Sequence, residues 1–437
     1  MTDAGTVQPD PNKQWVLHDV RLFAGMNDEV IPDATVWVDG EVVRYAGPTD
    51  IAPTIAGDVP RVEGRGRFVM PGMTESHAHL SYSNAAPGVL NQSPIPVAML
   101  DAIDNARVVL GSGFTSAISF GSAQGIDVPL RDMINQGRIP GPRLCASDRD
   151  IGSTGSNADT TAPGQDHIKL ITDGPWAVRQ AVRTLAKSRC DIVKLFLDGE
   201  AISAVAPPGI LSFTDEEVAA AVQESHARGM RVACHSRSAA AVKQAVRHGV
   251  DLIGHANYLD DEAVDLLRDN RDRLFVGPGV AWEVAVLDRG HTLGLPRETM
   301  IEKGYQREID ATINSVKLMR EAGIRLLVGG DYGLSITPHG TNARDLEQFV
   351  DLFGMTATEA LLCATRDGGD AADPNGMVGT LEEGKFADLV VVDGDPTVDV
   401  AVLQDHSRLH AVVKGGAIYS GLVGPSPFVR SPATGIC

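Results

Sequence analysis

The sequence predicts an α/β protein, a distorted (β/α)8 TIM barrel with a small β-sandwich domain formed from both chain ends. Three observations lead to this prediction. Short strand patterns fill residues 1–72, strand and helix patterns alternate over residues 73–372, and strand patterns return over residues 373–437. The central segment can hold a barrel, which typically needs about 250 residues, so the two ends are left to combine in a second domain.

The N-terminal segment from Trp15 to about Gly72 predicts short antiparallel strands. It contains WVLHDVRLFAG, ATVWVDGEVVRYAG with a hairpin signal at Asp39-Gly40, and GRFVMPG. Near the C-terminus, GTLEEGKFADLVVVDGDP and LHAVVKGGAIYSG have the same character. The simplest assembly pairs the strands of the two ends with each other.

Eight apolar strand patterns follow one another in the central segment, with amphipathic helical patterns such as DGPWAVRQAVRTLAKS and TDEEVAAAVQESHARG between them. In chain order the predicted strands are MTESHAHL, FTSAISF, GPRLCASD, DIVKLFLDG, RVACHS, DLIGHA, RLFVGPGV and RLLVGGD. Two connections, about 80–98 and 146–170, are too long for ordinary loops. Both follow barrel strands, where loops build the active site.

Composition excludes several classes of protein. Of the 437 residues, 43% are hydrophobic and 22% charged, and a formal net charge of −19 disfavours a nucleic-acid partner. The N-terminal MTDAGTVQPDPNKQW lacks the pattern of a signal peptide, and no run of about 18 apolar residues indicates a membrane span. Five scattered cysteines argue against a disulfide framework or a thiolate metal cluster. We therefore expect a cytoplasmic protein without a membrane partner.

The local signal that bears most directly on chemistry is His77-Ala78-His79 at the end of the first predicted barrel strand. Residues i and i+2 of a strand point to the same side, so the two imidazoles can share one ion. An isolated HxH is weak evidence, because surface and core histidines are common. The residues at the ends of the other predicted strands decide whether this pattern indicates a metal site.

Lys194 lies within the apolar run Ile192–Leu197, where an unpaired ammonium is costly to bury. One reading is a lysine that extends to water from a strand edge. The other is a neutral lysine that has reacted with carbon dioxide, because the resulting carbamate removes the buried positive charge and can bridge two cations.

His235, His255 and Asp331 each end a predicted strand, at the catalytic face of a barrel. Any one of them could be a capping or core residue, but six candidate ligands at five strand ends predict a metal centre. Imidazole and carboxylate ligands without thiolate favour Zn²⁺, with Mn²⁺, Co²⁺ or Fe²⁺ as alternatives. Such an ion activates water, and Asp331 could take up the proton and pass it to a leaving nitrogen.

The order PGMTESHAHL, DIVKLFLDG, ACHSR, IGHANYLDDE, LLVGGD and VGTLEEGKFADLVVVDGDP resembles the amidohydrolase superfamily from end to end, most of all its imidazolonepropionase-like and Xaa-Pro dipeptidase-like branch. The resemblance implies a role for each candidate. His77 and His79 are expected to bind the more buried ion, and His235 and His255 the second ion. A carboxylated Lys194 is expected to bridge the two ions, and Asp331 to act as ligand and base.

Four positions depart from the family pattern and bear on the substrate. Glu75 replaces the usual Asp before the first His, Gly254 replaces a small or acidic residue, and Tyr332 follows the catalytic Asp. Arg237 stands where a carbonyl-polarising His or Tyr is common.

Arg237 has two readings: a surface charge, or a side chain that shares the face of His235 and binds a substrate carboxylate or carbonyl. Tyr258, Tyr332 and His339 are further candidates for substrate contact, with ordinary packing as the alternative.

The predicted function is metal-dependent hydrolysis of a C–N bond in an amide, N-acyl amino acid, dipeptide, urea or carbamate. A cyclic-amide hydrolase or deaminase is one alternative, although deaminases of the superfamily generally lack the bridging lysine. A scaffold that kept the fold and lost catalysis is the other, and the complete ligand set argues against it. The expected partner is a small-molecule substrate, and the resemblance implies a homo-oligomer.

Overall fold

The computed structural model of the chain describes residues 14–85, 93–159, 169–201, 203 and 206–419, which form a TIM-barrel-like α/β fold. The strands are β1 (Trp15–Phe23), β2 (Val30–Asp39), β3 (Val42–Pro48), β4 (Arg61–Pro71), β5 (Met73–Ala78), β6 (Phe114–Ser119), β7 (Arg143–Cys145), β8 (Ile151–Gly152), β9 (Leu170–Ile171), β10 (Ile192–Phe196), β11 (Arg231–Ser238), β12 (Leu252–Tyr258), β13 (Phe275–Gly277), β14 (Leu389–Val392), β15 (Leu409–Lys414) and β16 (Ala417–Ile418). The α-helices are α1 (Ile95–Gly111), α2 (Asp127–Asn135), α3 (Pro175–Lys187), α4 (Asp215–His226), α5 (Ala239–His248), α6 (Asp261–Asp269), α7 (Ala281–Arg289), α8 (Arg297–Glu302), α9 (Tyr305–Glu321), α10 (Arg344–Asp351), α11 (Ala357–Leu362) and α12 (Gly368–Ala372).

Strands from both chain ends pair in one seven-stranded sheet, in the order β16-β15-β14-β4-β1-β2-β3. The pairing predicted from the sequence is confirmed where β14 runs antiparallel to β4, with Val390 opposite Met70. The predicted hairpin is present too, because Asp39 pairs with Val42 across the turn. A side-chain hydrogen bond also joins the ends, as Trp15 Nε1 donates to the carbonyl oxygen of Gly416 at 3.1 Å.

The parallel strands lie in two further sheets, β5-β6-β7 and β13-β12-β11-β10-β8-β9. Backbone hydrogen bonds join these sheets to each other and to the segment after α9. The Asp191 amide donates to the Ala146 carbonyl at 2.8 Å, and the Ser76 amide to the Val328 carbonyl at 3.0 Å. The carboxyl ends of the parallel strands therefore face the same side of the molecule.

The eighth predicted strand, RLLVGGD, is the one strand prediction that was wrong within the described residues. Its backbone forms only a bridge between Leu326 and Val276, flanked by the hydrogen bond from the Leu327 amide to the Val276 carbonyl at 2.9 Å. Further along, at Gly329, a Cβ atom would lie 2.5 Å from the His77 amide nitrogen. The segment packs too closely on β5 to continue as a regular strand.

The predicted helices between the strands are confirmed at α3, α4 and α5. The start of α4 has a capping box, in which the Thr214 side chain accepts from the Glu217 amide and the Glu217 carboxylate accepts from the Thr214 amide. Val218 and Ala221 of this helix are fully buried in the main hydrophobic core. The predicted loops lie partly outside the described residues, at 86–92 and 160–168, and the first gives way to helix α1 at Ile95.

None of the helices in the described part of the chain has both the length and the apolar character needed to span a bilayer.

We expect Trp15→Ala to lower the free energy of unfolding by about 3–5 kcal/mol, because it leaves a cavity in the sheet that joins the chain ends. Trp15→Phe should cost less, on the order of 1 kcal/mol from the lost hydrogen bond. Urea denaturation measures both effects. Trp176→Ala is the matched control, because the Trp176 side chain is 79% exposed, and a loss in this control as large as that of Trp15→Ala would contradict the assignment.

Candidate metal centre

The predicted ligands lie together at the carboxyl ends of the parallel strands. β5 ends one residue before His79 and carries His77, while β10, β11 and β12 carry Lys194, His235 and His255. His77, His79 and Asp331 each offer a ligand atom, and these three atoms lie within 4.8 Å of one another. The structure thus brings together residues that are up to 254 positions apart in the chain, from His77 to Asp331.

The second pair of histidines lies beside the first. The His235 and His255 ring centroids are 4.5 Å apart, and those of His77 and His255 are 5.0 Å apart. His255 and Asp331 both have positive φ, at 78° and 61°, which is uncommon for residues other than glycine. Local strain of this kind clusters at functional sites.

His79 has an oxygen atom close to each of its ring nitrogens. Its Nδ1 lies 2.9 Å from the Gly121 carbonyl oxygen, which can only accept, so Nδ1 carries a proton. Its Nε2 lies 3.0 Å from Asp331 Oδ1, and His77 Nε2 lies 3.9 Å from the same oxygen. The Gly121 carbonyl therefore fixes the ring of His79 in the orientation in which Nε2 faces the Asp331 carboxylate.

Burial keeps three of the imidazoles neutral. It lowers the pKa of His77, His235 and His255 well below the ordinary value, and neighbouring cationic side chains add to the effect for each of them. His77 Nδ1 and both ring nitrogens of His255 are buried without a hydrogen-bond partner in the described part of the chain. Buried polar atoms normally have partners, and neutral imidazoles with free nitrogens are the form that binds divalent metals. These residues therefore fit a metal ion.

Lys194 is 1% exposed and lies between two aromatic rings. Its Nζ is 4.5 Å from the centroid of Phe120 and 5.2 Å from that of Phe196, and no carboxylate lies within 4.0 Å of it in the described residues. Burial lowers the pKa of this amine to about 8. A lysine in this setting loses its proton readily, which is the condition for reaction with carbon dioxide.

A glycine provides the space for the rings. Gly254 on β12 lies opposite His235, and a Cβ atom there would meet Phe120 at 3.1 Å and His77 at 3.2 Å. A larger residue would push these rings away. The glycine at position 254, which departs from the family pattern, therefore allows the rings of the site to pack closely.

Glu75 on β5 stabilises the strand that carries His77. It is 1% exposed, accepts from the His77 amide at 3.1 Å and accepts from Asn342 Nδ2 at 2.7 Å. Burial raises the pKa of its carboxyl to about 8, with Asp345 contributing in the same direction. Glu75 thus links β5 to the segment after Asp331.

The Arg237 side chain is buried in a network of carboxylates. Its Nη1 lies 2.8 Å from Glu283 Oε1 and 2.7 Å from Glu308 Oε1, and donates to Asn257 Oδ1 at 3.1 Å. Its Nη2 lies 3.8 Å from Glu200 Oε1, the nearest carboxylate on the site side. The guanidinium therefore connects β11 and β12 to α7 and α9, and the reading as a surface charge was wrong, since the side chain is 2% exposed.

The two tyrosine candidates for substrate contact also have protein partners, whereas both ring nitrogens of His339 are buried without a hydrogen-bond partner in the described residues. The Tyr258 hydroxyl donates to Glu308 at 3.1 Å and the Tyr332 hydroxyl to Asp345 at 3.0 Å. The His339 ring is buried, which lowers its pKa to about 4, and its backbone amide donates to Asn84. Contact of these residues, or of Arg237, with a substrate stays a prediction.

Sequence reasoning missed several side chains that shape the site. Tyr82 stacks on His79 with ring centroids 4.3 Å apart, and Phe120 stacks on His77 at 4.2 Å. Asp150 is 2% exposed and pairs with Lys169 at 2.9 Å, and the Lys169 ammonium lies 4.3 Å from the centroid of the Phe196 ring. The only sequence signal for them was their place at or just after the ends of predicted strands, which many residues share.

The fold and this arrangement of ligands define a metal-dependent hydrolase. The Amidohydrolase family model matches residues 68–419, most of the chain, and the protein belongs to this family. The family predicted from the sequence is thereby confirmed, and with it metal-dependent hydrolysis of C–N bonds as the class of reaction.

Similar proteins of known name span nearly the whole chain. The ochratoxinase of Aspergillus niger is 24% identical over 437 residues, covering 94% of this chain and 88% of that protein. The imidazolonepropionase of Sphingopyxis alaskensis is 25% identical over 445 residues, covering 94% and 98%. The crystal structure of a Xaa-Pro dipeptidase with bound methionine superposes with a TM-score of 0.82 at 27% identity, covering 94% of this chain and all of the other.

We expect Arg237→Met to lower the free energy of unfolding by about 3–5 kcal/mol, because Glu283 and Glu308 remain buried without their cation. The loss should shrink at lower pH, where the unpaired carboxyls take up protons. Denaturation curves at several pH values measure it. Arg268→Met is the matched control on the exposed pair with Asp265, where about 0–1 kcal/mol is expected; equal effects in both variants would rule out a special role for the buried network.

Proposed function

We propose that this protein uses one or two divalent ions, preferably Zn²⁺, to hydrolyse the C–N bond of a small amide, N-acyl amino acid, dipeptide, urea or carbamate. The observation that carries the proposal is the convergence of four histidines, Asp331 and the buried Lys194. His77 Nδ1 and both ring nitrogens of His255 have no hydrogen-bond partner among the described residues. Ligands of this kind without thiolate favour zinc.

The proposed ligand set follows the geometry. One ion would be held by His77, His79 and Asp331, whose ligand atoms are the closest together. A second would be held by His235 and His255. A carbamate on Lys194 would bridge them, and the solvent-poor aromatic surroundings of its amine support this modification. A divalent ion in this place lowers the pKa of water and polarises a carbonyl oxygen.

Asp331 is proposed as the group that moves the proton. Burial alone would raise the pKa of its carboxyl, but His77, His79 and Lys194 hold the pKa well below the ordinary value, so the carboxylate is ionised. It would accept a proton from the attacking water and deliver it to the leaving nitrogen. Arg237 Nη2, whose one carboxylate neighbour in the described part of the chain is Glu200 at 3.8 Å, is the proposed contact for the substrate carbonyl or carboxylate.

The finer organisation is also proposed. We assign residues 73–372 to a closed (β/α)8 barrel and residues 1–72 with 373–437 to a β-sandwich domain, which the sheet shared by both chain ends supports. A small-molecule substrate, a cytoplasmic location and assembly as a homo-oligomer belong to the same proposal. No observation favours a cyclic-amide hydrolase, a deaminase or a non-catalytic scaffold.

A hydrolysis screen of the purified, zinc-loaded protein tests the proposed reaction. The substrates should include N-acyl amino acids, Xaa-Pro dipeptides, ochratoxin, aryl ureas, carbamates and lactones, because relatives are named as ochratoxinase and Xaa-Pro dipeptidase. Chelator-treated protein is the control. Release of an amine that requires the metal supports the proposal, whereas cleavage of lactones alone would contradict it.

We expect Lys194→Ala to lose activity and about one equivalent of bound metal, measured by plasma mass spectrometry. A short carboxylic acid in the medium should partly restore both, because its carboxylate can occupy the position of the carbamate. Lys187→Ala, at the end of α3, is the matched control and should keep its metal. A carbon-13 NMR spectrum of protein equilibrated with labelled bicarbonate that shows no carbamate signal would refute the modification.

We expect Asp331→Asn to keep the fold and to lower kcat by roughly 10²-fold or more, the effect of removing general acid–base catalysis. Steady-state kinetics with any substrate found in the screen measures the effect, and metal analysis of the same sample separates lost catalysis from lost metal. A change confined to KM would place the proton-accepting group elsewhere.

A further inference from the structure

A second cavity lies at the opposite ends of the parallel strands from the metal centre. It has a volume of about 660 Å³, and its walls include Arg143 and Arg231, the first residues of β7 and β11. Its other wall is formed by residues 372–378 and Phe386, which lead into β14. Along β11, Arg231 and His235 are four residues or about 13 Å apart. We call this cavity the barrel-floor cleft.

The barrel-floor cleft is rich in arginine in a strongly acidic protein. Four arginines, Arg131, Arg143, Arg228 and Arg231, and two aspartates line it, whereas the chain as a whole has a formal net charge of −19. Two of the arginines are fully paired. Arg131 pairs with Asp191 at 2.6 Å, and Arg143 makes a two-pronged contact with Asp388 while stacking on Phe386.

The other two arginines have too little negative charge beside them. Arg231 has no carboxylate partner in the described residues: its guanidinium donates to the carbonyl oxygens of Ala371 and Ala372 and lies 3.6 Å from Cys145 Sγ.

Among the residues that the structure describes, Arg228 pairs only with Glu224, and that single carboxylate is shared with Arg179 and Arg183. The three guanidiniums pull the pKa of Glu224 down to about 2, against the effect of burial. Uncompensated positive charge therefore collects at the edge of the cleft that carries Arg228 and Arg231.

Cations that lie in a cavity without counter-charges attract anions, and the planar guanidinium fork matches carboxylate and phosphate oxygens. The volume falls within the range of small-molecule sites, roughly 300–1,000 Å³, and exceeds what an inorganic ion needs. Leu144, Met377 and Val378 give the cleft an apolar wall for the carbon part of a ligand.

We propose that the barrel-floor cleft binds a small organic anion whose phosphate or carboxylate head group pairs with Arg228 and Arg231. The ligand would touch both the parallel strands and the segment before β14, and so stabilise the packing of the barrel-like part on the seven-stranded sheet. The proposal does not rest on the hydrolytic activity, because none of the proposed metal ligands lines this cleft.

Isothermal titration calorimetry of the full metal-loaded chain tests the proposal. Glycerol 3-phosphate and succinate are the two probes, which distinguish a phosphate from a carboxylate head group, and potassium chloride at equal ionic strength is the blank. We expect saturable binding of at least one probe with a Kd in the millimolar range or tighter. Absence of saturable binding for both probes would overturn the proposal.

Variants locate the site. Arg228→Gln and Arg231→Met should each weaken binding at least tenfold, and Arg228 lies at the surface, so its replacement tests the site even if the Arg231 variant folds poorly. Arg268→Met on α6 removes one distant positive charge and should leave the Kd unchanged. An equal loss in Arg268→Met would mean non-specific attraction and contradict the proposal.

Cys145 provides an independent readout, because its thiol lies beside Arg231 in the cleft. A bound anion should slow alkylation of Cys145 severalfold, as followed by peptide mass spectrometry, without slowing alkylation of Cys363, which does not line the cleft. Binding without protection of Cys145 would place the anion elsewhere.

Discussion

The structure depends on the burial of basic side chains at the carboxyl ends of parallel strands. An ammonium or imidazolium in such a place costs several kcal/mol unless it is paired or loses its proton. Here the second solution prevails for three histidines, because burial lowers the pKa of His77, His235 and His255 well below the ordinary value. Burial also lowers the pKa of Lys194, to about 8. The neutral ring nitrogens converge on one point. A cation bound there would replace the positive charge that burial disfavours on the side chains.

The surrounding residues maintain that arrangement. Gly254 leaves room for the rings of His77 and Phe120, and the Gly121 carbonyl orients His79 toward Asp331. Glu75 and Asn342 connect β5 to the segment after Asp331. This contact joins the two parts of the site that are most distant in sequence. Donors that are held before a ligand arrives need little reorganisation when it binds.

Arg237 shows the first solution, in which a buried cation keeps its charge because carboxylates surround it. Glu283 and Glu308 come from helices α7 and α9, so the network fastens the outer helices to the strand ends that carry His235 and His255. At the position where the resemblance noted in the sequence implies a carbonyl-polarising residue, this chain has a cation that protein carboxylates already bind. Within the network, Nη2 has the longest contact with a carboxylate, at 3.8 Å from Glu200 Oε1.

By itself the sequence determined the class of fold, seven of the eight central strands, the joining of the chain ends and the six candidate ligands, because strand alternation and strand ends are local properties. Only the tertiary structure decided the rest. RLLVGGD failed as a regular strand because Gly329 packs on the His77 backbone. The partners of Arg237, the stacking of Tyr82 on His79 and the arginines of the barrel-floor cleft join residues distant in the chain. Such contacts depend on three-dimensional packing, which leaves no periodic trace in one sequence.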